Sequence, residues 1–199
     1  GVFSPKVVQA QKAFRAQYDS ADDEPDALKK LVRLRRAQPL AEDYADLLDF
    51  AHALSPERAA PYEADRARIA AVGEAMITAR LEATMRVTVT GDLENRIKRK
   101  VSSLLAAQNF VLAERGFAYS VAVTVERNKV VRSSDDNIIT AEPGITVAVT
   151  NGSENIATYA KTFKRISGFS DEFVDKKIFD AIEKELDKSF ADELQAAIE

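Results

Sequence analysis

The stretch Met85-Arg86-Val87-Thr88-Val89-Thr90-Gly91-Asp92 decides the fold, because the spacing of the apolar residues changes there. Before residue 85, apolar residues recur about every 3.6 positions, which is typical of helices that bury one side. From Met85 onward they alternate with polar residues, which predicts a β-strand with one buried face. The sequence therefore predicts a helical domain over residues 1–84 and an α+β domain over residues 85–199.

The α+β part continues with a helix and several strands. Gly91-Asp92 ends the first strand, and Asp92 is expected to cap the helix that follows. That helix carries one apolar stripe, formed by Leu93, Ile97, Val101, Leu104 and Leu105. Further strands are predicted over residues 110–113 (a short one), 119–126, 145–150 and, after a hairpin turn at Asn151-Gly152, 155–166. The connection over residues 128–143 either extends the neighbouring strands or forms a flexible arm.

A last helix completes the sequence. Ser170 is its expected cap, and its near-continuous apolar stripe consists of Val174, Ile178, Ile182, Leu186, Phe190, Leu194 and Ile198. The order of elements after residue 84 is thus β-α-β-β-β-β-α. Strands with one apolar face and two amphipathic helices bury each other, which predicts a two-layer α+β sandwich with an antiparallel or mixed sheet.

The helical part is predicted to hold about four helices. The first follows Pro5, the second starts near Asp26, and Pro39 is expected to stop it because proline lacks the N–H that a helix interior needs. A third helix runs to Leu54, and Ser55-Pro56 signals the start of a fourth, which reaches about residue 83. As an alternative, the two helices between Asp26 and Leu54 resemble one tetratricopeptide-like unit.

Composition excludes several kinds of site. The 199 residues include no cysteine and one histidine, His52, so thiolate metal sites, disulfides and cysteine nucleophiles are ruled out. Glycine-rich phosphate loops are absent, and no run approaches the ~18 apolar residues of a membrane span. The net charge of -4 disfavours nucleic-acid binding by the surface as a whole. We therefore predict neither a metal, a cofactor nor a catalytic constellation.

Three polar groups invite a functional interpretation, and each also has a structural one. His52, three residues after Asp49, is interpreted as a surface or partly buried histidine beside a carboxylate rather than a general base or a metal ligand. The acidic runs 22–26 and 135–137 lack the ligand spacing of a calcium loop and are interpreted as solvated loops. The basic run 95–100 is interpreted as a solvated helix surface, with phosphate contacts as the alternative.

The strongest candidate for a binding face lies on the returning strand. On a regular strand, Tyr159, Lys161, Phe163 and Arg165 point to one side, so that aromatic and basic side chains alternate along it. Such a face could stack bases and hold phosphates, or grip an anionic or peptide ligand. In the alternative interpretation, Tyr159 and Phe163 pack under a helix while the charged chains extend to solvent.

The order of elements from Met85 to Ile166 resembles the α+β domains of bacterial outer-membrane lipoproteins and of the accessory lipoproteins of flagella and penicillin-binding proteins. The resemblance implies a non-enzymatic binding or assembly part that is periplasmic or anchored to the outer membrane. Its partner would be another protein or the remaining domains of a larger chain. The leading hypothesis is therefore a non-catalytic interaction module of the cell envelope. The alternative is an α+β protein that binds nucleic acid through the face of Tyr159 to Arg165.

Overall fold

A computed structural model describes residues 3–132 and 136–199. Residues 133–135 lie outside the described residues; all three belong to the predicted connection, and residue 135 is also the first of the second acidic run. The fold class is confirmed, since a five-stranded mixed sheet is combined with helices. Contacts between Cα atoms divide the chain into one unit that ends at Ala83 and another that runs from Thr84 to Ile198. Each unit is described by itself.

The helical unit is built on three long helices. Its elements are α1 (Phe3–Asp22), α2 (Ala27–Leu54), α3 (Pro56–Ala59), a 3-10 helix (Ala60–Asp65) and α4 (Arg66–Glu82). The Asp26 carboxylate caps α2 by accepting from the N–H groups of Leu28 and Lys29, both at 3.0 Å. A buried cluster holds the helices together and consists of Val7, Phe14, Ala41, Tyr44, Leu48, Ala51, Ala59 and Val72.

The prediction that Pro39 ends the second helix is wrong. Helix α2 continues through Pro39 to Leu54, so the interpretation as a tetratricopeptide-like helix pair is wrong as well. Proline in a helix interior costs about 3 kcal/mol. Apolar side chains on both sides of residue 39, from Leu34 to Ala41 and Tyr44, are buried along the same helix and outweigh that cost.

A buried carboxylate joins three parts of the helical unit. Asp65 is 1% exposed and accepts hydrogen bonds from Gln11 (2.8 Å), Arg15 (2.9 Å) and Tyr44 (2.9 Å). Burial by itself raises the pKa of Asp65, but the three donors and the charge of Arg15 outweigh it and lower the pKa. The carboxylate thus stays ionised and ties α1 and α2 to the 3-10 helix.

The α+β unit begins with a strand and a helix, continues with four strands and ends in helices. Its elements are β1 (Met85–Thr90), α5 (Arg96–Ala107), β2 (Tyr119–Arg132), β3 (Ile138–Asn151), β4 (Glu154–Thr162), β5 (Ile166–Gly168), α6 (Asp171–Glu185), a π-helical turn (Leu186–Phe190) and α7 (Ala191–Ile198). The strand order is β1-β2-β3-β4, and β5 also pairs with β3. The pair β1–β2 is parallel and the other pairs are antiparallel, so the sheet is mixed.

Two predicted strands need correction. Residues 110–113 do not form a strand; Leu112 makes only an isolated parallel bridge to Met85. The predicted strand over 155–166 is broken, because β4 pairs Thr162 with Gly144 whereas β5 pairs Ile166 with Ala141. Three residues, 163–165, therefore face two, 142–143, which is a β-bulge.

The connection predicted over residues 128–143 extends the neighbouring strands. Strands β2 and β3 continue as a long hairpin whose pairing reaches Arg132 and Ile138. Of the two alternatives for this segment, the described residues therefore show the strand extension.

Within the α+β unit, the helices cover one face of the sheet. Alternate residues of β2, from Tyr119 to Val125, are buried on the face that α5, α6 and α7 cover. The predicted stripe of the last helix is confirmed, since each of its seven residues from Val174 to Ile198 is at most 1% exposed. On the opposite face, small side chains such as Ala122, Thr124 and Thr158 are exposed.

The turn between β1 and α5 is fixed by two residues. Gly91 has a φ of 80°, and a Cβ atom there would lie 2.3 Å from the Val125 carbonyl oxygen. The Asp92 carboxylate accepts from the N–H groups of Ile97 and Lys98, both at 3.0 Å. Asp92 thus satisfies two N–H groups of the first turn, as expected of a capping residue, but the N-cap position itself is held by Asn95, with a φ of 57°.

Candidate functional site: a cleft at the strand bulge

The first two residues of the predicted binding face pack against the helices. Tyr159 is 2% exposed, its hydroxyl lies 3.1 Å from Ser189 Oγ, and its ring meets that of Phe190 edge-on at 5.3 Å. Burial raises the pKa of the Tyr159 phenol, which therefore stays neutral at physiological pH. The ring of Tyr159 is enclosed and is not open for stacking on a base.

Lys161 also faces the helical layer. Its ammonium group donates to the Glu193 carboxylate of α7 at 2.6 Å and lies 5.6 Å from the centre of the Tyr159 ring. The hydrogen bond to Glu193 raises the pKa of Lys161. This side chain links β4 to α7, and its charge is balanced within the protein.

The other two residues of the predicted face line a cleft at the bulge. The cleft has a volume of about 250 Å³ and is lined by Glu126, Asn128, Glu142, Pro143, Gly144, Thr162, Phe163 and Arg165. The Phe163 N–H donates to the Pro143 carbonyl at 2.9 Å, which holds the bulge against β3. Arg165 forms an ion pair with Glu142. The structure thus brings Phe163 and Arg165 together and separates them from Tyr159 and Lys161.

The bulge has a local cause in β3. The Pro143 carbonyl points toward the bulge, since it accepts from the Phe163 N–H. The N and C=O of one residue in an antiparallel strand point to the same neighbouring strand, so the Pro143 nitrogen faces the bulge as well. Proline has no N–H for that neighbour, and within sheets it is confined to edges and bulges. Pro143 is therefore a sequence signal for an irregularity near this point, and the pairing of β3 with β4 and β5 shows where the irregularity falls.

The cleft combines opposite charges with an aromatic wall. Glu126 and Glu142 supply two carboxylates, Arg165 supplies one guanidinium group, and Phe163 is half-buried beside them. The Arg165 and Glu142 side chains are 54% and 61% exposed, so their ion pair is weak and can exchange partners. This surface can bind a ligand that presents both charges and an apolar group.

His52 lies outside this cleft, in the helical unit. It is 56% exposed, and the carboxylate beside its Nδ1 is that of Glu63, at 3.3 Å, whereas Asp49 pairs with Arg66 at 2.8 Å. Among residues 3–132 and 136–199, no group of three or more histidine, aspartate or glutamate side chains is arranged to hold a metal ion.

The basic run of α5 is not simply a solvated surface, which corrects that interpretation. Arg96 pairs with Asp180 (3.0 Å) and Glu183 (2.8 Å). The hydrogen bond to Glu183 raises the pKa of Arg96 most, and the hydrogen bond to Asp180 raises it further. Lys100 pairs with Asp187 at 2.6 Å. These cations join α5 to the carboxylates of the last helical segment, so the local basic charge is largely balanced.

In the acidic run 22–26, Asp26 acts as a helix cap and Glu24 pairs with Arg33 at 2.8 Å. Both side chains therefore have structural partners. No helix within the described part of the chain is both long and apolar enough to cross a membrane.

Comparisons with known proteins do not identify a family. No family model and no curated protein matches the sequence. Among solved structures, a minor lipoprotein from Acinetobacter baumannii is 9% identical with a TM-score of 0.40, and the match covers 56% of this chain and 94% of that one. A neuraminyllactose-binding hemagglutinin homologue from Helicobacter pylori is 9% identical with a TM-score of 0.34, covering 56% of this chain and 81% of the other. These similarities establish neither an activity nor a ligand.

Proposed function

We propose that this protein is a non-catalytic interaction module that binds a polypeptide partner through the cleft at the bulge. The observation that carries the proposal is the position of Phe163 and Arg165, which share one cleft beside the bulge. Aromatic and arginine side chains are enriched in protein interfaces, where they act as anchors.

The charges of the cleft favour a polypeptide over a nucleic acid. Glu126 and Glu142 would repel phosphate groups, and Arg165 is the only cation among the lining residues. The four predicted binding residues remain part of the proposal in two roles. Phe163 and Arg165 contact the partner, whereas Tyr159 and Lys161 fix β4 from the helical side.

Site-specific photo-crosslinking in cells of the source organism tests the proposal. A photoreactive phenylalanine analogue at position 163 is expected to give one discrete adduct with another protein. The same analogue at Ile77, a 60% exposed apolar residue of α4, serves as the matched control. The adduct should disappear in Arg165→Glu and in Glu142→Arg. Equal adducts at both positions, or an adduct that survives these substitutions, would contradict the proposal.

We also propose that the module acts in the bacterial cell envelope. This assignment rests on the order of elements in the α+β unit. Fractionation of the source cells, with an antibody against the protein, tests it independently of the cleft. Recovery with periplasmic or membrane fractions is expected, and recovery in the cytosolic fraction alone would overturn the assignment.

A further inference from the structure

The outer edge of β1 carries the start of a hydrogen-bond ladder that is not continued. The Met85 N–H donates to the Val111 carbonyl and the Met85 carbonyl accepts from the Ala113 N–H, both at 2.8 Å. These two bonds are those of a parallel strand pair, in agreement with the bridge between Met85 and Leu112. After Ala113 the chain leaves this edge and returns on the other side of β1, where β2 begins at Tyr119.

The next rungs of this ladder are open. Thr84 bonds to Tyr119 on the β2 side, so backbone groups of even-numbered residues point to β2 and those of odd-numbered residues point outward. Val87 and Val89 therefore direct two N–H and two C=O groups away from the sheet. Among the hydrogen bonds of the described residues, none satisfies these four groups. An extended polypeptide is the ligand that matches such an edge.

A small pocket lies beside the open rungs, between β1 and α5. It has a volume of about 150 Å³ and is lined by Met85, Val87, Lys98, Ser102, Leu112, Ala113 and Glu114. A strand that continued the ladder would direct every second side chain toward this pocket. The pocket has room for one aliphatic side chain, which supplies the specificity that backbone bonds lack.

The charges around the edge favour an acidic strand. Arg86 (3.5 Å) and Lys98 (3.2 Å) share the single carboxylate of Glu114, so this rim has an excess positive charge. An acidic side chain that flanked the aliphatic residue would balance it. These pairs are exposed, so the charge selects the partner more than it strengthens binding.

We propose that the outer edge of β1 is a second binding site, which takes an extended segment of a partner protein with one aliphatic residue flanked by acidic ones. The segment adds to the sheet beside Val87 and Val89. This site differs from the cleft in position and in chemistry, and it does not depend on the proposed function of the cleft.

Selection from a library of short random peptides on the folded full-length chain tests this proposal. Enrichment of sequences with acidic residues around one aliphatic residue is expected, and the affinity of a synthetic enriched peptide is then measured by calorimetry. The Val89→Pro variant removes one N–H that points away from the sheet and leaves the hydrogen bonds between β1 and β2 intact. Because one hydrogen bond to the peptide is lost, peptide affinity should fall roughly tenfold. Val89→Ala, which keeps the N–H, is the control. If Val89→Pro fails to fold, N-methylation of the paired peptide residue replaces it.

Two further variants test the pocket and the positive charge of the edge separately. Ser102→Leu should fill the pocket and abolish the preference for an aliphatic residue, and Lys98→Glu should reverse the preference for acidic ones. Arg165→Glu, in the cleft, should leave peptide affinity unchanged, so failure of the cleft and failure of the edge are distinguishable. No enrichment, enriched peptides insensitive to Val89→Pro, or a dimer of the chain through β1 would each overturn the proposal.

Discussion

Replacement of Gly91 by alanine tests the geometry of the turn that joins β1 to α5. Two effects add at this position. A φ of 80° is unfavourable for a residue with a side chain, by about 1–2 kcal/mol. The new Cβ would also lie 2.3 Å from the Val125 carbonyl oxygen, which forces β2 or the turn to move. Overpacking of this kind costs about 1–3 kcal/mol, so we expect a loss of about 2–5 kcal/mol for Gly91→Ala.

Two other glycines provide matched controls. Gly116 (φ 68°) and Gly152 (φ 59°) share the left-handed backbone, but an added Cβ at either position would meet nothing within 4 Å. Alanine there should cost about 1–2 kcal/mol, which is the backbone effect alone.

Urea unfolding followed by circular dichroism measures the three losses. Hydrogen exchange of peptides from β2 then shows whether the α+β unit is the part that opens. If Gly91→Ala costs no more than Gly116→Ala and Gly152→Ala, the close approach to Val125 is refuted.

Three further results are expected. Pro39→Ala, at an exposed site inside α2, should stabilise the helical unit by about 2 kcal/mol in thermal unfolding, and an unchanged or lower Tm would contradict a continuous helix. Because the pKa of Asp65 is lowered from 3.8, the ionised carboxylate stabilises the fold above about pH 4, and this stabilisation is lost as the pH falls further. Asp65→Asn should therefore make the free energy of urea unfolding less dependent on pH, and equal pH dependence in the variant and the parent protein would refute the role of the carboxylate. Tyr159→Ala should lower the free energy of unfolding by about 3–5 kcal/mol because the ring is buried, whereas Phe163→Ala, at a half-exposed side chain in the cleft, should lower it by about 1 kcal/mol. Equal losses in urea unfolding would contradict the different environments of the two rings.

Much of the fold follows from patterns that lie within single elements. The alternation from Met85, the stripe from Val174 to Ile198 and the cap at Asp92 each depend on residues a few positions apart. A strand or helix with one apolar face has few ways to bury it, so these patterns predicted the α+β class.

The candidate site was only partly predictable. The sequence singled out Tyr159, Lys161, Phe163 and Arg165, but the assumption of a regular strand placed all four on one face. The bulge divides them, because Pro143 on the neighbouring strand offers no N–H at that point. Since Pro143 lies about twenty positions away from Phe163 in the chain, its effect appears only when the pairing of β3 with β4 and β5 is known.

The sequence by itself determined the type of most elements and which of their faces are apolar, since these properties come from local spacing. Tertiary structure decided the outcome at positions where the local preference of a residue opposes the conformation or burial that it has in the fold. Burial carried α2 through Pro39, and Asp65 became ionised and buried because donors from α1 and α2 converge on it. The open edge of β1 likewise exists only in the assembled sheet, since whether a backbone group has a partner depends on which strands lie beside it.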